Sequence, residues 1–372
     1  MSSTFGTLFR VSVFGESHGP RIGAVVHGIP AGTPLDLAWV QLQLDRRRPG
    51  QSMLTTQRSE TDTMEVHSGV QGGVATGAPI ALSMPNEDKD SSKYATFRDK
   101  PRPGHADYPA HVKYGGHNDL RGAGHFSGRL TAPLTAVGAL ARCALAHLSG
   151  GQVRAFAAAT TIAGIDADFD PDSADLRALS RAIDDSPVRC PDANASAKMA
   201  AAVEAARKAT DSVGGIVTGV VEGMPVGVGE PFFDSVESVV SHVLYSIPAV
   251  KGVDWGSGFQ LAAMKGSESN DAYHYEGDRI VTRSNHAGGV LGGLTDGARI
   301  VVRVCVKPAS SIAKPQATVD LATGKDATLA VTGRHDPCIV IRAVPVIENA
   351  IAIGLLDLYL AARAGGLDAK RT

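Results

Sequence analysis

His125-Phe126-Ser127-Gly128-Arg129-Leu130 runs straight into Thr131-Ala132-Pro133-Leu134-Thr135-Ala136-Val137-Gly138-Ala139-Leu140-Ala141-Arg142-Cys143-Ala144-Leu145-Ala146-His147-Leu148. The second part reads as a long, alanine-rich, mostly buried helix, closed by Gly150-Gly151. The first part places a hydroxyl, a glycine and an arginine at its start. Backbone N–H groups there favour anions, and Arg129 adds a two-pronged clamp for phosphate or carboxylate.

Outward from this helix, Phe9 to Phe14 reads as a short strand ending in the turn Gly15-Glu16-Ser17-His18-Gly19, with Ile22 to Val26 as the next strand. Thr33-Pro34 predicts a helix start, and Leu37, Val40 and Leu44 recur at helical spacing. That helix should stop near Arg46-Arg47-Arg48, before Pro49-Gly50. Ser68 to Ser83 predicts strands and turns, and Asn86-Glu87-Asp88-Lys89-Asp90 an exposed loop. Asp166 to Asp192 is acidic and expected to be irregular. Ala195 to Thr210 reads as an amphipathic helix. Gly215 to Val221 and Arg299 to Val306 are β-branched runs and read as strands. Ile347 to Ala364 reads as a closing helix, stopped by Gly365-Gly366. No repeat and no linker interrupts the 372 residues, which predicts one large α+β domain over 1–372.

The chain is 43% hydrophobic and 20% charged, enough apolar content for a real core. Lys plus Arg total 36 against 38 Asp plus Glu, so the balance argues against a nucleic-acid partner held through phosphates. Cys143, Cys190, Cys305 and Cys338 stand far apart, with no CxxC, which argues against a zinc ribbon and a disulfide scaffold. The N-terminus has no signal-peptide pattern, and the longest purely apolar runs are too short to span a bilayer. The expectation is a cytoplasmic protein with no membrane partner.

Several site types are missing from the sequence. There is no P-loop, no H-E-x-x-H and no G-x-S-x-G. Gly288-Gly289-Val290-Leu291-Gly292-Gly293 has the wrong spacing for a dinucleotide fold. What remains is His, Arg and Asp set in glycine turns. His18 lies between a strand and a turn. Arg46-Arg47-Arg48 are either cations at a helix C-terminus or an anion site, and three adjacent arginines on a helix cannot all reach one ligand. In Arg102-Pro103-Gly104-His105-Ala106-Asp107, the Pro-Gly turn fixes where His105 points, between opposite charges. His105, Asp107, His111, His117 and His125 make a metal site the rival reading of that segment, although their gaps match no helical or finger-like ligand spacing. Lys307-Pro308-Ala309-Ser310-Ser311 suits a phosphate or a plain turn, and Gly333-Arg334-His335-Asp336-Pro337-Cys338 is a charged turn before an apolar stretch. Together these describe a site for a small, highly anionic substrate with a phosphate-bearing cofactor.

In their order and wording these segments resemble the chorismate synthase family, from near Thr7 to about Ala362. The resemblance rests on Phe14-Gly15-Glu16-Ser17-His18-Gly19, Asp45-Arg46-Arg47-Arg48-Pro49-Gly50, Thr55-Thr56-Gln57-Arg58, Arg102-Pro103-Gly104-His105-Ala106-Asp107-Tyr108, Ser284-Asn285-His286-Ala287-Gly288-Gly289, Lys307-Pro308 with Ser310-Ser311, and the 333–338 turn. It implies an α+β sandwich with helices packed between antiparallel sheets, assembled as a homotetramer. It implies a carbon–oxygen lyase that converts 5-enolpyruvylshikimate 3-phosphate to chorismate and phosphate by 1,4-anti elimination, the last step of the shikimate pathway. The family requires reduced FMN, which lends an electron transiently as phosphate leaves. NADPH is a reductant for it, used directly or through a separate flavin reductase.

By the same resemblance His18, His105 and Asp336 are catalytic: His105 for the leaving phosphate, His18 near the flavin, Asp336 for proton uptake through the flavin. FMN binding falls to His125, Phe126, Ser127, Pro248, Ala249, Gly292, Lys307, Pro308, Ala309, Ser310, Ser311 and Arg334. Substrate or NADP binding falls to Ser17, Arg47, Arg48 and Arg129, with Arg58 and Arg102 as further cations and no metal required. His125-Phe126-Ser127-Gly128-Arg129-Leu130 replaces the Arg-Ser-Ser-Ala-Arg-Glu of many members, and Met53 replaces an arginine. A metal-dependent hydrolase on 105–125 and a non-catalytic flavin-binding relative are the alternative readings.

Overall fold

A computed structural model describes residues 3–50, 54, 61–87, 91, 94–333 and 335–367. Two five-stranded sheets, antiparallel at every pairing, form its outer layers. The first runs in the order Thr4–Phe5, Arg10–Gly15, Arg21–His27, Ile80–Pro85, Glu65–Val66. The second runs Val250–Trp255, Ile300–Val306, Gly215–Glu222, Arg154–Ile162, Ile165–Asp166. Both β-branched runs read from the sequence are neighbours in this second sheet, with Val217 opposite Val304.

Helices run between and around the sheets. They are α1 (Leu37–Arg47), α2 (Asp107–Lys113), α3 (Thr131–Leu148), α4 (Leu176–Asp185), α5 (Ala193–Lys208), α6 (Val236–Ser246), the single turn α7 (Gly266–Ser269) and α8 (Val340–Ala364). α3 packs on the first sheet and on α8, while α8 packs on the second sheet and on α6. α4, through Leu176, packs with Val220 and Val301 in a cluster separate from the main core. One continuous apolar cluster joins Ile22 and Leu82 of the first sheet, Ala136 and Leu140 of α3, Ile347 and Ile351 of α8, and Val217 and Val304 of the second sheet. This is the α+β sandwich expected above. α3 and α8 have the length and apolarity of membrane spans, yet 94% of the most apolar stretch of α8 lies inside the protein. A helix apolar on every face suits such a central layer.

α3 keeps the bounds read from the sequence, and four elements depart from their expectations. α1 is capped by Asp36, whose carboxylate accepts from the Trp39 N–H at 2.9 Å, and not by Thr33. The Thr33 hydroxyl instead donates to Pro30 O at 2.7 Å, and Pro34 bridges Val74, so the chain stays extended there. α8 begins at Val340 and contains Pro345. An interior proline costs a helix about 3 kcal/mol; burial of Val340, Ile341 and Val344 offsets it. The acidic 166–192 stretch holds α4, capped by Asp175 and buried through Leu176 and Ile183. Asn86, expected on an exposed loop, is buried: its amide donates to Glu16 O and Gly19 O. Asp88, Lys89 and Asp90 lie outside the described residues.

α3 and α8 meet at a glycine. A Cβ on Gly138 would lie 2.2 Å from Asn349 O, so only glycine permits this crossing. Near it, Glu348 is buried between Arg46 at 2.8 Å and Arg142 at 2.7 Å, tying α1, α3 and α8 together.

Candidate active site

A cavity of about 710 Å³ opens where the C-terminal end of α1, the residues before α2, the start of α3 and the start of α8 converge. Its walls come from 102–106, 122–131, 245–251, 306–311 and 335–346, with Arg47, Pro49 and Tyr94. The layers position these segments: α3 and α8 are fixed by the core, and the N-terminal end of each contributes to the cavity wall.

The three consecutive arginines at the end of α1 diverge, as helix geometry requires. Arg46 turns to Glu348 and Asp184. Arg47 is 1% exposed and donates to Asp62 at 2.7 Å and to the Thr131 hydroxyl at 3.2 Å. Arg48 is half exposed beside Asp45 and does not line the cavity. Asp62 also receives Arg129, whose Nε donates to Asn86 Oδ1 at 2.9 Å. Burial alone would raise the Asp62 carboxyl, but the Arg47 and Arg129 guanidiniums outweigh it and hold it below the usual carboxylate range. Burial lowers Arg47 to about 10; Asp62 works against the shift, and Arg342 and Arg129 add to it. The Arg47 Nε is buried with no hydrogen-bond partner. Arg47 and Arg129 thus share the buried Asp62 carboxylate at the edge of the cavity that both line.

Elsewhere in the lining, Arg102 holds Asp107 with Nε at 2.7 Å and Nη2 at 2.8 Å, and Asp107 Oδ1 lies 2.8 Å from His105 Nδ1. Burial pushes the Asp107 carboxyl up, but its bonds to Arg102 and His105 hold it well below the carboxylate range. Arg102 stacks on Phe97 at 4.5 Å and reaches the Ser311 hydroxyl at 3.2 Å. Asp336 accepts from Arg342 at 2.6 Å, and Arg342 Nε donates to Arg47 O at 3.1 Å. Burial lowers Lys307, and the like charge of Lys251 lowers it further. Two ammonium groups on one wall suit an anion between them.

His18 sits just behind the wall. Its Nδ1 lies 2.7 Å from the Ser91 hydroxyl, and its ring meets Tyr94 edge-on at 5.2 Å. Gly122, at φ +59°, presses on it: a Cβ there would lie 2.3 Å from His18 Cδ2. Ser17 accepts from Ser127 at 3.2 Å. His125 and Phe126 line the cavity, but the His125 ring nitrogens lie 2.9 Å from Gly15 O and 3.0 Å from the Ser3 hydroxyl, so its ring serves the first sheet. Pro248, Ala249 and 307–311 line the cavity; Gly292 turns the Val290–Leu291/Leu294–Thr295 hairpin away from it. Arg334, Arg58 and Met53 lie outside the described residues. Among the described residues no three His, Cys, Asp or Glu side chains come together in a metal-binding group, and His105 and Asp107 are engaged with Arg102.

Asp62, Arg342, Lys251 and Tyr94 complete the site without having been singled out from the sequence, and His335 beside Asp336 was read only as part of its turn. Arg342 had a legible signal, a cation in an otherwise apolar helical stretch. Asp62 had none, since its partner Arg47 is distant in sequence.

Fold and site define an α+β protein with a cavity lined by buried arginines, a histidine and an aspartate. The family described as chorismate synthase matches residues 9–360. The chain is similar to a chorismate synthase of Korarchaeum cryptofilum (strain OPF8), 47% identical over 98% of this chain and 99% of that one. It is also similar to one from Aeropyrum pernix, 48% identical over 96% of this chain and 92% of that one. A solved structure titled chorismate synthase superposes with a TM-score of 0.73 and 26% identity, over 95% of this chain and 92% of the other. The chain belongs to the chorismate synthase family.

Proposed function

We propose that this protein removes phosphate from 5-enolpyruvylshikimate 3-phosphate by 1,4-anti elimination, giving chorismate. The observation that carries this reading is one cavity lined by Arg47, Arg129 and His105, with the Arg47 Nε buried and without a hydrogen-bond partner among the described residues. A substrate with a phosphate and two carboxylates suits guanidiniums at the cavity wall. His105 hydrogen-bonds or protonates the departing phosphate oxygen as the carbon–oxygen bond breaks and its electron pair leaves with oxygen. Asp336, held by Arg342, takes up the substrate proton, and His18, packed against Gly122 and Tyr94, supports the cofactor side of the site.

The donor set fits FMN. Lys307 and Lys251 are short of negative charge and match a phosphate, and Ser310 and Ser311 add hydroxyls beside them. Pro248, Ala249, Phe126 and Ser127 would hold the remainder, with Arg334 and Gly292 carried by family likeness alone. Reduced FMN supplies a transient electron to the elimination when bound. The reductant is NADPH, used directly or through a separate flavin reductase. The protein works in the cytoplasm as one domain per chain and assembles as a homotetramer, a state supported by the exposed Phe232, Phe233 and Phe259 rings.

The test is an anaerobic assay with 5-enolpyruvylshikimate 3-phosphate and chemically reduced FMN. Chorismate absorbance and phosphate should rise together, and neither should rise with oxidised FMN. Binding of both ligands without either product would overturn the reading. His105→Ala should lower kcat by about 10²-fold or more.

A further inference from the structure

Asp107 is the most heavily engaged side chain around His105, and the reaction as read above gives it no role. Its carboxylate is 3% exposed. It accepts from the Arg102 backbone N–H at 3.0 Å, from Arg102 Nε at 2.7 Å and from Arg102 Nη2 at 2.8 Å. The fourth contact is His105 Nδ1, 2.8 Å from Oδ1. A carboxylate oxygen only accepts, so a nitrogen this close to it carries the hydrogen. The neighbouring Arg102 Nη2, 3.2 Å from the same Nδ1, is itself a donor and cannot share that hydrogen. Nδ1–H of His105 therefore donates to Asp107, and Nε2 is the nitrogen left for a ligand in the cavity that His105 lines.

We infer that Asp107 is a positioning residue for His105, holding its Nδ1–H so that Nε2 meets the phosphate of the substrate, and that Arg102 is the counter-cation that tempers this carboxylate. The inference rests on the proposed role of His105 and deepens it. A lone carboxylate would bind the imidazolium tightly and make it a reluctant proton donor. Arg102 spreads its two prongs over both oxygens, so Asp107 sets orientation while its charge is already balanced. Arg102 also donates to the Ser311 hydroxyl, so the same junction fixes the distance between His105 and the 307–311 wall. The proton path is simple. The Nε2 proton of the imidazolium goes to the leaving oxygen, which departs with the bonding pair, and the neutral ring keeps its Nδ1 hydrogen, donated to Asp107.

The experiment is a double-mutant cycle on the full chain with reduced FMN supplied: Asp107→Asn, His105→Ala and both together. Asparagine still accepts at Oδ1 but loses the charge and sets an N–H₂ against Arg102. Asp107→Asn should lower kcat by about 10- to 100-fold, with KM and FMN affinity changed less than about twofold. In the His105→Ala background the same substitution should cost less than about twofold, because it acts only through the missing ring. An equal cost in both backgrounds would make Asp107 a scaffold residue and overturn the inference. So would an unchanged kcat, or a KM that rises as kcat falls. Full activity of His105→Ala would instead sink the proposed role of His105 itself, which separates the two failures. If Asp107→Asn does not hold its fold, as judged by melting, Asp107→Glu takes its place in the cycle. It keeps the charge and displaces the oxygens by one methylene, so it should lower kcat only where His105 is present; a cost independent of His105 would again overturn the inference.

Discussion

Gly122 carries no functional group, yet it sets where His18 stands. At φ +59° it lies in backbone space that side chains rarely enter, and its missing Cβ leaves room for the His18 ring. Gly122→Ala should therefore displace the imidazole and lower turnover by about tenfold or more, together with a loss of about 1–3 kcal/mol in stability. Activity assays and thermal melts check both, and a variant with wild-type turnover would show that His18 tolerates the displacement. Asp62 acts at the same scale by charge. Asp62→Ala removes the buried carboxylate that Arg47 and Arg129 share, and breaking a buried pair in this way costs about 3–5 kcal/mol. Denaturant midpoints should show it directly. The positions of His105 and Asp336 at the cavity were legible because glycine and proline turns present them in wording that the family shares. Asp62 was not, because its meaning comes from two arginines far along the chain that only the fold brings to it.

At the scale of elements, the sequence was most readable where one pattern governs a segment alone. α3 has uninterrupted helical composition and a glycine stop, and its bounds match the reading. α8 does not, because Pro345 argues locally for a boundary that core packing overrides. Thr33-Pro34 misled in the opposite direction: a good helix start was held extended by its bridge to Val74. The α3–α8 crossing makes a prediction of its own. Gly138→Ala would place a methyl 2.2 Å from Asn349 O, and two helices fixed by opposite sheets have little freedom to part. The expected loss is about 1–3 kcal/mol although alanine is the better helix former. If melting shows stabilisation instead, the helix layer is looser than its packing indicates.

Across the whole molecule, buried carboxylates tie the helical layer to the cavity. Asp62, Asp107 and Glu348 are each buried, which by itself raises a carboxyl. In each case arginine neighbours reverse the shift and hold the folded value below the ordinary one. The sign of the linkage follows. Ordinary values of 3.8 for the aspartates and 4.5 for the glutamate approximate the unfolded chain. Above those values both states are ionised and the stabilisation is fully present. As pH falls through them the unfolded chain takes up protons first, so stability declines, and it continues to decline until the depressed folded values are reached. The protein should therefore melt at a nearly constant temperature from about pH 7 to pH 5 and at steeply lower temperature from about pH 4.5 downward. Asp62→Asn removes one of these carboxylates, so its melting curve should start lower at neutral pH and fall less steeply toward pH 3. Parallel acid slopes for the two proteins would show that Asp62 is no more readily ionised in the fold than in the unfolded chain, and that the charge linking Arg47 to Arg129 is not what acid removes.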